Sequence, residues 1–166
     1  VLKGLISISR LRWPPGLTGK DIDAFARFEL WRQGFDYDHG TGHGVGAYLS
    51  VHEGPQGISK NNVVKLKPGM IVSVEPGYYK TDCFGIRIEN LLLIQEASIP
   101  ENGEREMLSF KTLTICPIET RLIIKSLLSE DESLWLNQYH LSVYKKISPL
   151  VGSRTRKWLN KACSPI

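Results

Sequence analysis

Cysteine is scarce and scattered. Cys83, Cys116 and Cys163 are the only three in 166 residues. No two form a Cys-x-x-Cys pair, which argues against a cysteine zinc cluster. An odd, sparse count also points away from a disulfide framework and toward a reducing, cytoplasmic setting. No apolar run approaches the roughly 18 residues of a membrane helix, and the N-terminal stretch lacks the basic, apolar and small-residue order of a secretory signal. No membrane partner is therefore expected. An initiating methionine is missing too: Val1 opens the chain, as expected of a piece of a longer reading frame. Charge of one sign is not dominant, the net value being +4. Arg154, Arg156, Lys157 and Lys161 cluster near the end. Without an aromatic-interleaved basic stripe they read as a solvated helix face, and no nucleic-acid partner is expected. Internal repeats and low-complexity tracts are absent as well.

What is present suits an ordinary globular unit. Hydrophobic residues at 42% and charged residues at 23% fall in the usual range, and the length allows a substantial core. Residues 1–12 mix Leu and Ile with Lys and Arg, and pattern does not separate helix from strand there. Pro14-Pro15-Gly16 breaks what precedes it. Thr18, with Asp21 at the capping-box position, predicts a helix start. Ile22, Phe25, Ala26, Glu29 and Leu30 give that helix a mostly apolar stripe, and Gly34 closes it. Glycines at 40, 42, 44 and 46 forbid a helix and suit an extended segment closely approached by a neighbour. Lys67-Pro68-Gly69 marks a turn, Met70 to Glu75 a strand ended by Pro76-Gly77, and Gly85 to Ile94 a second strand buried on both faces at Leu91–Ile94. Phe110 to Ile118 is a shorter β-rich stretch. Ser129 and Glu132 form a second capping box, opening a helix to Ile147 with Trp135, Leu136, Tyr139, Val143 and Ile147 on one side. Pro149 ends it. Residues 153–163 predict a last helix with Trp158, Leu159 and Ala162 inward. The whole reads as α+β followed by a helical tail.

Three acid-base side chains stand on or beside these buried segments: His43, Glu75 and Glu89. A buried carboxylate needs a partner, and one imidazole with two carboxylates is part of a divalent-metal donor set. His39 and His43 are four apart, but position 40 is Gly, and the glycines forbid the helix that a His-Glu-x-x-His site requires. Gly40-x-Gly42 is not a dinucleotide fingerprint, because Val45 stands where a third Gly is needed. On an extended strand Arg87 and Glu89 share a face, with Ile86 and Ile88 on the other, so Arg87 can hold the Glu89 carboxylate ionised. Each candidate also has a plain structural reading: Glu89 with Arg87 as a simple salt bridge, His39 and His52 as satisfied structural histidines, Trp135 and Trp158 as core anchors. Glu53 and His140 carry no signal beyond exposure.

Taken in order, the strings His39-Gly40-Thr41-Gly42-His43-Gly44-Val45-Gly46, Val51-His52-Glu53-Gly54-Pro55, Leu66-Lys67-Pro68-Gly69-Met70-Ile71-Val72, Glu75-Pro76-Gly77-Tyr78-Tyr79 and Phe84-Gly85-Ile86-Arg87-Ile88-Glu89-Asn90 resemble the Xaa-Pro aminopeptidases (aminopeptidase P), members of the pita-bread metallopeptidases. The tail, with Leu113-Thr114-Ile115-Cys116-Pro117-Ile118 and Trp135-Leu136-Asn137-Gln138-Tyr139-His140, resembles the C-terminal extension of the large subtype. Coverage is essentially the whole chain. The resemblance implies an incomplete pita-bread fold, with residues 1–107 as the C-terminal part of the catalytic domain and 108–166 as the extension. It implies removal of the N-terminal residue from peptides with proline second, two divalent cations, commonly Mn²⁺, and a homodimer in the complete enzyme. It implies His43, Glu75 and Glu89 as metal ligands, Glu75 also as proton shuttle, His39 and His52 as substrate-positioning histidines, and Arg87 as an orienting residue.

The departure concerns the remaining ligands. The family's two Asp ligands lie upstream of the segment that Val1 resembles, and Asp21, Asp23, Asp36 and Asp38 match other parts of the pattern. A further upstream histidine and an N-terminal domain are also outside the resemblance. With three donors of five, the chain alone is expected to bind metal weakly, to be inactive, and to be marginal or aggregation-prone. Two further expectations are kept beside this one: a non-catalytic binding module of the same fold, and a half-enzyme completed in trans.

Overall fold

A computed structural model describes all residues from 1 to 166. They form two compact units, Val1–Thr114 and Ile115–Ile166. Met107–Thr112 is a paired strand and belongs to the first unit.

The first unit opens with helix α1 (Leu2–Ser9), where Leu2, Leu5, Ile6 and Ile8 are buried. Strand β1 (Arg12–Trp13) follows, then helix α2 (Gly19–Trp31). Asp21 accepts the Thr18 backbone N–H at 2.7 Å and its hydroxyl at 2.8 Å, as the capping signal predicts. Helices α1 and α2 pack against each other through Gly4, where a Cβ would lie 2.2 Å from the Ala26 carbonyl oxygen. Ile22, Ala26 and Leu30 are buried, but Phe25 is 47% exposed. The inward stripe instead takes Asp23 and Arg27, which neutralise each other.

Strands β2 (Gly42–His43) and β3 (Gly57–Ile58) pair antiparallel. They are followed by β4 (Ile71–Val74), β5 (Gly77–Lys80), β6 (Phe84–Arg87), β7 (Asn90–Ala97) and β8 (Met107–Thr112). The main sheet has the order β1-β8-β7-β4, all antiparallel. The glycine-rich segment lies along the outer side of β4: Gly44 bridges Val72, and the Glu75 N–H donates to the Thr41 carbonyl at 2.7 Å. The close approach requires glycine at 42, where a Cβ would sit 1.8 Å from the Ser73 carbonyl oxygen.

The single strand expected from Gly85 to Ile94 is two. β6 pairs with β5 in a separate ribbon, and β7 pairs with β4 and β8. The break falls at Ile88-Glu89, opposite Glu75-Pro76, because proline has no N–H to donate to the ladder. The register is nevertheless continuous across the break, from Val74↔Asn90 to Gly77↔Arg87. Glu75 and Glu89 are therefore opposite one another.

The second unit begins with an extended segment, a 3₁₀ turn at Lys125–Leu127, and helix α3 (Glu130–Ile147). Its predicted capping box is present: the Glu132 N–H donates to the Ser129 hydroxyl at 3.2 Å, and the Ser129 N–H donates to the Glu132 carboxylate at 2.8 Å. Leu136, Tyr139 and Val143 are buried, and Trp135 stacks on Tyr139 with ring centroids 5.4 Å apart. A 3₁₀ turn, Ser148–Leu150, leads to helix α4 (Ser153–Ala162). Two expectations are corrected here. Trp158 is 60% exposed and is no core anchor, since α4 turns Leu159 inward instead, with Cys163 buried just past its end. His140 is fully buried rather than exposed, because its Nε2 accepts the Ile118 N–H at 3.0 Å. Arg154, Arg156, Lys157 and Lys161 are exposed, as a solvated face requires.

Candidate metal centre

Three separate segments bring His43, Glu75 and Glu89 together. One donor atom of each lies within 4.8 Å of the others. His43 comes from β2, Glu75 from the end of β4, and Glu89 from the break between β6 and β7. Opposed carboxylates in an antiparallel pair repel, so positions 75 and 89 face each other favourably only with positive charge between or beside them.

The imidazole is set up as a donor. His43 Nδ1 lies 2.9 Å from the Gly44 carbonyl oxygen, which can only accept, so Nδ1 carries the proton and Nε2 presents its lone pair. That lone pair faces Glu75 Oε1 at 3.2 Å. Two electron-rich atoms at that distance suit a cation or a proton shared between them. One nitrogen and carboxylate oxygens make a donor set for a hard or borderline divalent ion. The residues present thus fit a divalent cation.

Ser73 was not singled out by sequence, yet it ties the centre together. It is fully buried; its hydroxyl accepts the His43 N–H at 2.9 Å and donates to Glu75 Oε1 at 3.2 Å. Its position two before Glu75 on one strand put both on the same face, which was the available signal. Tyr79 was also missed as a polar partner. Its hydroxyl accepts from Arg87 Nε at 2.7 Å and lies 2.9 Å from His39 Nε2. His39 Nδ1 is 2.8 Å from the Gly40 carbonyl, so Nδ1 bears the proton and Tyr79 donates to Nε2. Glycines at 77 and 85 leave room for the phenol: a Cβ at Gly77 would lie 2.4 Å from its oxygen.

Arg87 Nη1 lies 3.5 Å from Glu75 Oε2, so its ion pair is with the carboxylate opposite Glu89. The Tyr79 hydrogen bond, with the charges of Glu75 and Glu89, raises the Arg87 pKa above its ordinary value. The His52 ring is 4.2 Å from that of His43, centroid to centroid, on an exposed loop. Asp21, Asp23 and Asp36 are occupied elsewhere. Burial alone would raise the Asp36 pKa, but hydrogen bonds from Lys60, Trp31, Arg27 and the Tyr37 N–H hold it well below the usual carboxylate range.

Residues 1–96 match metallopeptidase family M24, and residues 106–166 match the C-terminal region of peptidase M24. A probable Xaa-Pro aminopeptidase P of Coprinopsis cinerea is 49% identical over 172 residues, covering 100% of this chain and 28% of the relative. Aminopeptidase P2 of Arabidopsis thaliana is 51% identical over 170 residues, covering 100% of this chain and 24% of the relative. The crystal structure of an X-prolyl aminopeptidase from Caenorhabditis elegans, described as a cytosolic enzyme with a di-nuclear active site, superposes with a TM-score of 0.91 at 44% identity. It covers 100% of this chain and 28% of that one. The chain thus has the fold of a fragment of that protein, and it spans about a quarter of the length of the curated relatives it matches. Ordered motifs, fold and converging donors agree: the chain belongs to metallopeptidase family M24.

Proposed function

We propose that this chain carries part of the metal centre and the proton-transfer group of an aminopeptidase that releases the N-terminal residue from peptides with proline in second position. The observation that carries this reading is the convergence of His43, Glu75 and Glu89 within 4.8 Å, from segments far apart in sequence. His43 and Glu89 act as ligands, and Glu75 as both ligand and proton carrier. The carboxylate-rich donor set favours Mn²⁺ or a similar hard ion. A bound divalent cation supplies Lewis acidity and lowers the pKa of an attacking water.

The chain's own residues supply the rest. Glu75 is held on one oxygen by Ser73 and faces Arg87 with the other. It takes a proton from the water and returns it to the departing prolyl nitrogen, which has no hydrogen of its own as a tertiary amide. His52 and His39 orient the carbonyl before proline. Arg87 and Tyr79 keep the Glu75 and His39 side chains in place. By the same resemblance, the complete protein holds two cations and works as a cytoplasmic homodimer.

Titrating Mn²⁺ into the 166-residue chain, followed by electron paramagnetic resonance, tests the centre. One weakly held ion is expected, lost in His43→Ala and in Glu89→Gln; Mn²⁺ binding unaffected by either substitution would refute the ligand assignment. Steady cleavage of an X-Pro peptide by this chain alone with Mn²⁺ would refute the reading that its centre is partial.

A further inference from the structure

Residues 36–41 have no helix or ladder of their own, yet this segment carries His39 and supplies the Thr41 carbonyl on which the Glu75 N–H rests. Backbone polar groups in such a stretch need partners from elsewhere, and α2 provides them. Arg27 is 1% exposed and Asp23, one turn earlier, is 2% exposed. Arg27 Nε donates to Asp23 Oδ2 at 2.7 Å. Its Nη1 donates to Asp36 Oδ1 at 2.7 Å and to the Tyr37 carbonyl at 2.6 Å. Its Nη2 donates to the His39 carbonyl at 2.8 Å. The guanidinium carbon also lies 3.9 Å from the centre of the Tyr37 ring. Asp23 secures the other end: its Oδ1 accepts the Thr41 hydroxyl at 2.6 Å, so the Tyr37 hydroxyl, 2.5 Å away, donates to Thr41. One planar cation and one carboxylate thus hold residues 36, 37, 39 and 41 in turn.

We propose that Asp23 and Arg27 are positioning residues for the metal centre, placing the His39 ring through its own carbonyl and Glu75 through Thr41. Neither reaches substrate or ion. A simple core salt bridge would neutralise charge and stop there. This one spends its remaining donors on the carbonyl of His39 and its remaining oxygen on Thr41, the residue whose carbonyl anchors Glu75. Lysine in place of Arg27 keeps the charge but not the planar fork, and one ammonium cannot reach acceptors spread around a guanidinium. The catalytic meaning of the device rests on the function proposed above; the placement of the His39 ring does not.

The test reads ring nitrogens by ¹⁵N–¹H correlation in the labelled 166-residue chain, at a pH where imidazoles are neutral. In the native chain His39 shows the Nδ1–H form imposed by Gly40 and Tyr79. In Arg27→Lys it reverts toward the Nε2–H form that free imidazole prefers in water. The amide signals of the paired strands β7 and β8, in the same unit as Arg27 and His39, stay dispersed and report that this unit is folded. Mn²⁺ affinity falls about tenfold in the same variant, as expected when the support of a ligand is lost. An unchanged His39 pattern in folded Arg27→Lys overturns the proposal. Should that variant unfold, Thr41→Val carries the test: a displaced Glu75 amide signal supports the proposal and an unmoved one overturns it. A native chain that binds no Mn²⁺ refutes the metal reading alone and leaves the His39 pattern to decide this one.

Discussion

Ser73 shows how much one hydroxyl can determine. Between the His43 N–H and the Glu75 carboxylate it meets a donor and an acceptor that would otherwise be left unsatisfied. Replacing it with alanine is expected to cost about 1–3 kcal/mol, the usual penalty for stranding buried polar groups. The measurement is the urea midpoint, with Mn²⁺ binding weakened in parallel. Gly42→Ala should be worse. The new methyl would meet the Ser73 carbonyl oxygen at 1.8 Å, so the segment carrying His43 must move away from β4. A loss above about 4 kcal/mol, or failure to fold, is expected; a near-neutral urea midpoint would contradict the close packing. His43, Glu75, Glu89, His39 and Arg87 were all legible as candidates because their flanking motifs are strong. Ser73 and Tyr79 were not singled out: strand spacing puts Ser73 on the Glu75 face, but neither a serine nor a tyrosine shows a role until a fold gives it partners.

Among the elements, the helix starts were the most readable. Both capping boxes form at the residues that predict them, since a cap is a local bond between positions three apart. Glu132→Ala should cost about 1 kcal/mol of second-unit stability, seen as a lower midpoint in helical circular dichroism. The break at Ile88-Glu89 was not readable. A run from Gly85 to Ile94 looks like one strand, and only the opposing Pro76 interrupts it. His140 was misjudged for a similar reason: its acceptor role depends on the Ile118 N–H, 22 residues away.

That burial has a pH consequence in α3. Desolvation on burial lowers the His140 pKa below the ordinary 6.5. Because the folded value is the lower one, the unfolded chain takes up the proton first as pH falls below about 6.5. Stability contributed by neutral His140 is complete above that value and declines below it, until the folded group also protonates. The slope for one proton is at most about 1.4 kcal/mol per pH unit. Urea midpoints of the second unit between pH 7.5 and 5.5 should show this slope, and His140→Gln should remove its share.

For the whole molecule, the exposed apolar residues are the main feature. Phe25, Phe28 and Trp31 on α2 are 47%, 55% and 44% exposed, at a spacing that puts them along one side of the helix. Leu122, Leu150 and Trp158 are 76%, 78% and 60% exposed. Surfaces of this kind favour self-association in water. The isolated chain is expected to bind an apolar dye and to show concentration-dependent sedimentation. Phe28→Glu should weaken both while shifting stability by no more than about 0.5 kcal/mol, as is usual for a surface position. Sedimentation as a single species at all concentrations would contradict this.

Local order belonged to the sequence: helix starts at Thr18 and Ser129, an extended glycine-rich segment, strands flanking Glu75 and Glu89, and the motif strings that mark the family. These are short-range matters of capping bonds, backbone freedom and side-chain period, and they can be read from neighbours along the chain. Only the tertiary structure decided that Glu75 and Glu89 stand opposite one another across a broken ladder, that Arg87 faces Glu75, and that Asp23 and Arg27 hold the segment carrying His39. Those outcomes depend on strand register and on partners from distant segments, which exist only once the chain has closed on itself.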